Sequence, residues 1–161
     1  MYDCILVPTD GSPEVEGALE YAFDLARTHD ATVRAIYVVS IAGYGNMPME
    51  AALDGLSDAL RGDGRAAVDR VEELAPPDVE VETAVLEGSP SRVIASQAQP
   101  GTCDLVVMGT HGRGGIDRLL LGSVAERVVR RASVPVLTVQ VGSDDDDDGD
   151  GRRERPPVAV E

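Results

Sequence analysis

The chain has 161 residues, 43% of them apolar and 3% aromatic, with a formal net charge of −15 at pH 7. One compact domain with a core of small aliphatic side chains fits that length and composition. So acidic a surface repels nucleic acid and anionic lipid, because binding to either requires basic patches.

The charge has two parts. Residues 1–142 carry −10 and residues 143–161 carry −5, and every basic side chain is arginine, with no lysine. Acidity without lysine predicts a halophilic-type surface, on which salt screening relieves self-repulsion. A GC-rich coding bias toward Arg, Ala, Gly, Asp and Val is the plainer source of the same composition. A rise in Tm between low and molar KCl is the expectation. The two cysteines lack zinc-ligand spacing and suit a reducing interior. With no leader pattern at Met1-Tyr2-Asp3-Cys4 and no apolar run near the roughly 20 residues of a membrane span, a cytoplasmic chain with no membrane segment is expected.

Cys4-Ile5-Leu6-Val7-Pro8 reads as a short buried strand. A turn follows at Thr9–Ser12, with Ser12 expected as the N-cap of a helix that Pro13 opens and that runs to His29. Thr32–Val39 is rich in β-branched residues, a second strand. Ser40–Pro48 is irregular, and a long helix follows from about Met49 to Ala75, though Gly55, Gly62 and Gly64 weaken it. Val79–Leu86 alternates at first, as a strand at a sheet edge does. Ser89 caps a short helix to about Gln97, Asp104–Met108 is a fourth strand, and Val134–Val141 a fifth. Five aspartates, Asp144 to Asp148, open a segment 143–161 too polar to fold alone, read as a solvating tail. Regular β-α alternation implies a parallel sheet. Ligands of such sheets bind beyond the strands' carboxyl ends, where strand order reverses.

One stretch stands out between the fourth strand and the next helix. Gly109, Gly112, Gly114 and Gly115 follow the strand directly, and Gly122-Ser123 precedes Val124–Arg131. Glycine lets backbone N–H groups approach an anion, and a helix N-terminus adds a favourable dipole. With no lysine, the P-loop and protein-kinase patterns are excluded. The dinucleotide pattern fails because Asp117 stands at its third glycine position. Gly109-x2-Gly112-x9-Gly122-Ser123 remains.

That spacing resembles the ATP-binding branch of the universal stress protein family, whose motif is Gly-x2-Gly-x9-Gly-Ser/Thr. Ile5–Ser12, Ile36–Val39 and Ser133–Val139 are similar to the family's first, second and last strands. The resemblance covers roughly residues 2–141, with residues 1–142 as the domain. It implies an adenine nucleotide alpha hydrolase-like α/β fold, a doubly wound five-stranded parallel sheet of order 3-2-1-4-5, binding ATP or AMP. By resemblance Pro8, Thr9 and Asp10 line the adenosine end, and Val38 offers backbone groups to adenine. Met108, Gly109, His111, Gly112, Arg113, Gly114 and Gly115 wrap ribose and phosphates, and Gly122, Ser123 and Val124 close over the phosphates. It also implies homodimerisation through the last strand, Val134 to Val141.

The residues themselves add detail. Ser123 and Glu126 have capping-box spacing. Arg113 can neutralise phosphate charge, whereas Arg118 reads as a solvated arginine. Asp10 is suited to a ribose hydroxyl, to a metal such as Mg or Mn through water, or to a plain turn. No catalytic pair accompanies His111, which is read as a loop residue, and His29 suits a helix end. Cys4 and Cys103 each lie six residues before a landmark, Asp10 and Gly109. Neighbouring strands would put them at similar height, but two separate reduced thiols are expected in a reducing interior. The function expected is a nucleotide-dependent stress or signalling module with at most slow hydrolysis. The alternatives are a non-nucleotide protein-interaction module and, less favoured, a true nucleotide hydrolase.

Overall fold

The computed structural model describes residues 1–40, 50–110 and 121–140, with the backbone alone between 50 and 57. The tail from 143 and most of the glycine stretch lie outside the described residues. The elements run β1 (Cys4–Pro8), α1 (Glu14–His29), β2 (Thr32–Val39), α2 (Glu50–Leu74), β3 (Val81–Glu87), α3 (Pro90–Gln97), β4 (Leu105–Gly109), α4 (Ser123–Arg131) and β5 (Val136–Val139).

All strand pairs are parallel, and the sheet order is β3-β2-β1-β4-β5, as expected. Alternate side chains sort to the two faces. Ile5, Val7, Val33, Ala35, Leu105 and Val107 join a cluster with Val15, Leu19, Phe23 and Val71, so α1 and α2 cover one face. Leu6, Ile36, Val106 and Met108 join Ile94, Ala125 and Val128, so α3 and α4 cover the other. The central strands β1 and β4 are buried on both faces, which is why they read as unbroken apolar runs.

Local details depart from the sequence reading. Ser12 does not cap α1: Pro13 stands at the cap position with no side-chain cap bond. The Ser12 hydroxyl instead donates to Asp10 Oδ1 at 2.6 Å. The last strand is shorter than Val134–Val141. It begins after Pro135, whose carbonyl accepts from Val106 N–H at 3.0 Å, and Val141 lies outside the described residues. Gly64 in α2 has a packing cause: a Cβ there would lie 2.8 Å from Tyr37 Cδ1 and 3.0 Å from Val85 Cγ1. Glycine lets the helix settle onto β2 and β3.

The expectation of two separate thiols is corrected. Cys4 and Cys103 are joined as a disulfide, Cα–Cα 4.5 Å, closing a sequence separation of 99. The physical reason is register. Ile5 faces Leu105, so Cys4, one residue before Ile5, and Cys103, two before Leu105, are brought within reach at the amino ends of β1 and β4. Asp104 reinforces the junction, its Oδ2 accepting from the N–H groups of Asp3 (2.8 Å) and Cys4 (3.1 Å) while its own N–H donates to the Cys4 carbonyl at 2.9 Å.

Candidate functional site

At their carboxyl ends β1 and β4 part company. The chain leaves β1 for α1 on one face and leaves β4 toward α4 on the other, which opens a crevice between neighbouring strands.

The turn after β1 is held tightly. Thr9 is buried, donates its N–H to the Ile36 carbonyl at 2.9 Å and accepts from Gly11 N–H through Oγ1 at 3.1 Å. Asp10 Oδ1 accepts from Ser12 N–H at 2.9 Å as well as from its hydroxyl, an Asx-type turn. Gly11 takes φ of 74°, the left-handed conformation that glycine adopts without a Cβ penalty. The turn reading of Asp10 is therefore met.

The segment after β4 is stitched to the start of α4. Thr110 N–H donates to the Val139 carbonyl at 3.0 Å, and Gly122 N–H donates to the Thr110 carbonyl at 2.7 Å. The two halves of the glycine motif, Gly109 and Gly122-Ser123, thus meet although thirteen positions separate Gly109 from Gly122. The capping-box expectation is corrected here. Gly122 occupies the cap position with φ −58° and ψ 151°, Ser123 is the first helical residue, and no side chain caps the helix. Glu126 donates its N–H to the Gly122 carbonyl at 2.9 Å, and its carboxylate pairs with Arg130 at 3.0 Å. The Ser123 hydroxyl is not spent on a cap, and the first-turn N–H groups from Ser123 to Ala125 have no intrahelical acceptor.

Between these parts lies a cavity of about 450 Å³, within the range of small-molecule sites. Of the residues expected at the site, Pro8, Thr9, Asp10, Val38, Met108, Gly109, Gly122, Ser123 and Val124 all line it. His111, Gly112, Arg113, Gly114 and Gly115 lie outside the described residues, as does Arg118. Thr110, inside the stretch Met108 to Gly115 expected to wrap ribose and phosphates, lines it too, whereas sequence reasoning missed Ile36, Pro90 and Ile94. Pro90 opens α3, and helices that follow parallel strands start at the carboxyl edge, so element order held a signal for it. Ile94, one turn on, read only as core. The cavity has an apolar interior of Ile36, Ile94 and Met108, and a polar rim of Thr9, Asp10, Thr110 and Ser123. Among the described residues no cluster of three or more His, Cys, Asp or Glu side chains suits a metal, and Asp10 contributes a carboxylate at the rim. No helix among them is long and apolar enough to cross a membrane.

Fold and crevice define a doubly wound α/β domain with a cavity at its topological switch point. The chain belongs to the universal stress protein family, whose model matches residues 1–140. A universal stress protein of Methanocaldococcus jannaschii is 40% identical over 141 residues, covering 87% of this chain and 83% of that one. Among solved structures, universal stress protein UspA from Lactobacillus plantarum superposes with a TM-score of 0.71 at 29% identity, covering 86% of this chain and 97% of that one. A universal stress protein in complex with cAMP superposes with a TM-score of 0.54 at 26% identity, covering 86% and 97%.

Proposed function

We propose that this chain is a nucleotide-dependent stress module that holds ATP in the carboxyl-edge cavity and hydrolyses it slowly at most. The observation that carries the reading is the meeting of Gly109-Thr110 with Gly122-Ser123 through the Gly122 N–H to Thr110 bond, beside an apolar cavity of base-accommodating size. A flat adenine ring suits the space among Ile36, Ile94 and Met108, with Val38 backbone at its edge. Asp10 and Thr9 suit the ribose. The phosphates suit the N-terminus of α4, where Ser123 and the first-turn N–H groups offer donors and the helix dipole favours negative charge. In a chain of net charge −15 these local donors, together with Arg113, have to offset the overall field. Capture of a cyclic adenosine monophosphate by a related structure supports the adenosine assignment.

Rapid turnover calls for a metal, charge clamps and a positioned base or water. A divalent cation such as Mg or Mn arriving with the triphosphate would meet the Asp10 carboxylate, but the described rim offers no second carboxylate and no base. The site is built for holding more than for spending. The module is read as cytoplasmic and as a homodimer through the β5 edge, where Leu137 is exposed and Val129 of α4 is nearly half exposed.

Native mass spectrometry of the purified full chain tests both parts. Co-purified ATP or AMP and a doubled mass are expected. Absence of adenine nucleotide, with no binding on titration to millimolar ATP, would overturn the nucleotide reading. A strictly monomeric species at tens of micromolar would overturn the dimer.

A further inference from the structure

At the end of the sheet opposite the cavity the two cysteines are placed unequally. Cys103 is fully buried among Ala98, Val106 and Val128, whereas Cys4 is partly exposed. Their positions do not depend on the bond between them. The Asp104 carboxylate holds the N–H groups of Asp3 and Cys4, and the Asp104 N–H holds the Cys4 carbonyl. The β1–β4 ladder then continues through Ile5 and Leu6. Breaking the sulfur bond therefore leaves the strands aligned, and the two sulfurs remain neighbours, ready to rejoin.

We propose that Cys4 and Cys103 form a reversible dithiol–disulfide couple, a redox modification site that exchanges with low-molecular-weight thiols through the Cys4 sulfur. In the reducing direction the thiolate of a small thiol attacks Cys4 Sγ. The Cys4–Cys103 bond breaks as the new sulfur bond forms, and the electron pair goes to Cys103 Sγ, which takes a proton from solvent. A second small thiolate attacks the small-molecule sulfur of the mixed disulfide and releases Cys4, which is protonated in turn. Two small thiols have become one small disulfide, and the protein has gained two electrons and two protons. The reverse sequence uses a small disulfide as oxidant. Exchange runs through Cys4 because in-line attack needs access, and aliphatic side chains shield the Cys103 sulfur from an incoming thiolate. The site is independent of the nucleotide cavity, so its fate does not depend on what the cavity binds.

The test uses the full native chain in graded mixtures of glutathione and glutathione disulfide, quenched with acid, alkylated and mapped by mass spectrometry. One two-electron transition is expected, from both cysteines alkylated to a linked Cys4–Cys103 peptide, with trapped glutathione found on Cys4. In the Cys103→Ala variant Cys4 accumulates the mixed disulfide. In Cys4→Ala, Cys103 reacts at least about tenfold more slowly, as burial dictates. Closing a loop of this length should raise Tm in the oxidised form by about 10 °C. Free thiols at every ratio would overturn the proposal. So would glutathione on Cys103, or reduction that occurs only at the rate of global unfolding in a urea series. The wild-type mapping stands even if either variant folds poorly.

Discussion

The two ends of this sheet share the same strands and are built in opposite ways. At the amino end β1 and β4 are drawn together by Asp104 and by the Cys4–Cys103 bond, and Tyr2 stacks edge-on against His29 with ring centroids 4.8 Å apart. At the carboxyl end the same two strands release their chains to opposite faces, and the gap is floored by Ile36 and Met108. Polar groups at the amino end are used on each other. At the carboxyl end Ser123 and the first turn of α4 line a cavity, and no side chain caps that helix. In this doubly wound sheet the bonded junction and the cavity lie at opposite edges, so a ligand held as proposed would not have to weaken the junction that holds its strands.

The strongest way to break that division is at the cavity. Gly122 has a backbone conformation open to any residue, so Gly122→Val tests room at the ligand and not backbone strain. ATP affinity should fall by at least about 100-fold, or about 2.7 kcal/mol, with the circular dichroism and Tm of the free chain little changed. Calorimetric titration reads the loss, and retained affinity would remove the phosphates from the start of α4. The complementary change is Asp104→Ala at the amino end. Losing a charged acceptor for two backbone N–H groups should cost about 2 kcal/mol of unfolding free energy, with ATP affinity within about twofold of wild type. Asp104→Asn keeps an acceptor oxygen and should recover about half. An affinity change as large as the stability change would show that the two ends are coupled.

A smaller contrast lies in α2. Gly64→Ala would drive a Cβ to 2.8 Å from the Tyr37 ring. Overpacking against a gain in helix propensity should leave a net loss of about 1 kcal/mol. Gly62→Ala, with nothing within 4 Å of its Cβ, should gain about 0.5–1 kcal/mol from propensity alone. Urea unfolding of the pair reads both signs, and two gains would show that Tyr37 and Val85 yield easily.

These elements also show what could be read from residues alone. The five strands were legible because β1 and β4 are apolar throughout and each helix carries a one-sided stripe, whereas the order of the sheet came from the family resemblance. Nine of the residues expected at the cavity line it, since a turn after β1 and a glycine pair before a helix have few places to go in such a sheet. The cap at α4 was misread because Ser-x-x-Glu spacing is shared by two registers, and only the extended ψ of Gly122 decides between them. Ser12 was misread for a similar reason, its hydroxyl being taken by Asp10. The cysteines were placed correctly at one height but read as separate thiols. Compartment chemistry outweighed a register that only the β1–β4 ladder fixes. Ile94 and Ile36 could not be told from core, since a cavity wall and a packed interior use the same side chains.

The slightest of these effects belongs to the amino end of the sheet. Arg27, in the last turn of α1, grips Asp78 with two bonds of 2.9 and 2.8 Å, joining the helix to the segment that leads into β3. Hydrogen bonding to the guanidinium holds the Asp78 carboxyl below its ordinary value of 3.8. Because the folded-state value is depressed, the pair stabilises the fold above that ordinary value and the contribution is lost as pH falls through the lower, folded-state one. Both side chains are largely exposed, 45% and 60%, so water and salt compete for them and the gain at pH 7 is slight. Asp78→Asn should therefore lower stability a little at pH 7, and the gap to wild type should close as pH falls below about 4, through the carboxylate range. Urea titrations at pH 7 and at pH 2.5 in low salt measure the two gaps. A gap that stays the same at both would mean that Asp78 acts through its shape and neutral hydrogen bonds, and that the charge of this pair contributes nothing to the fold.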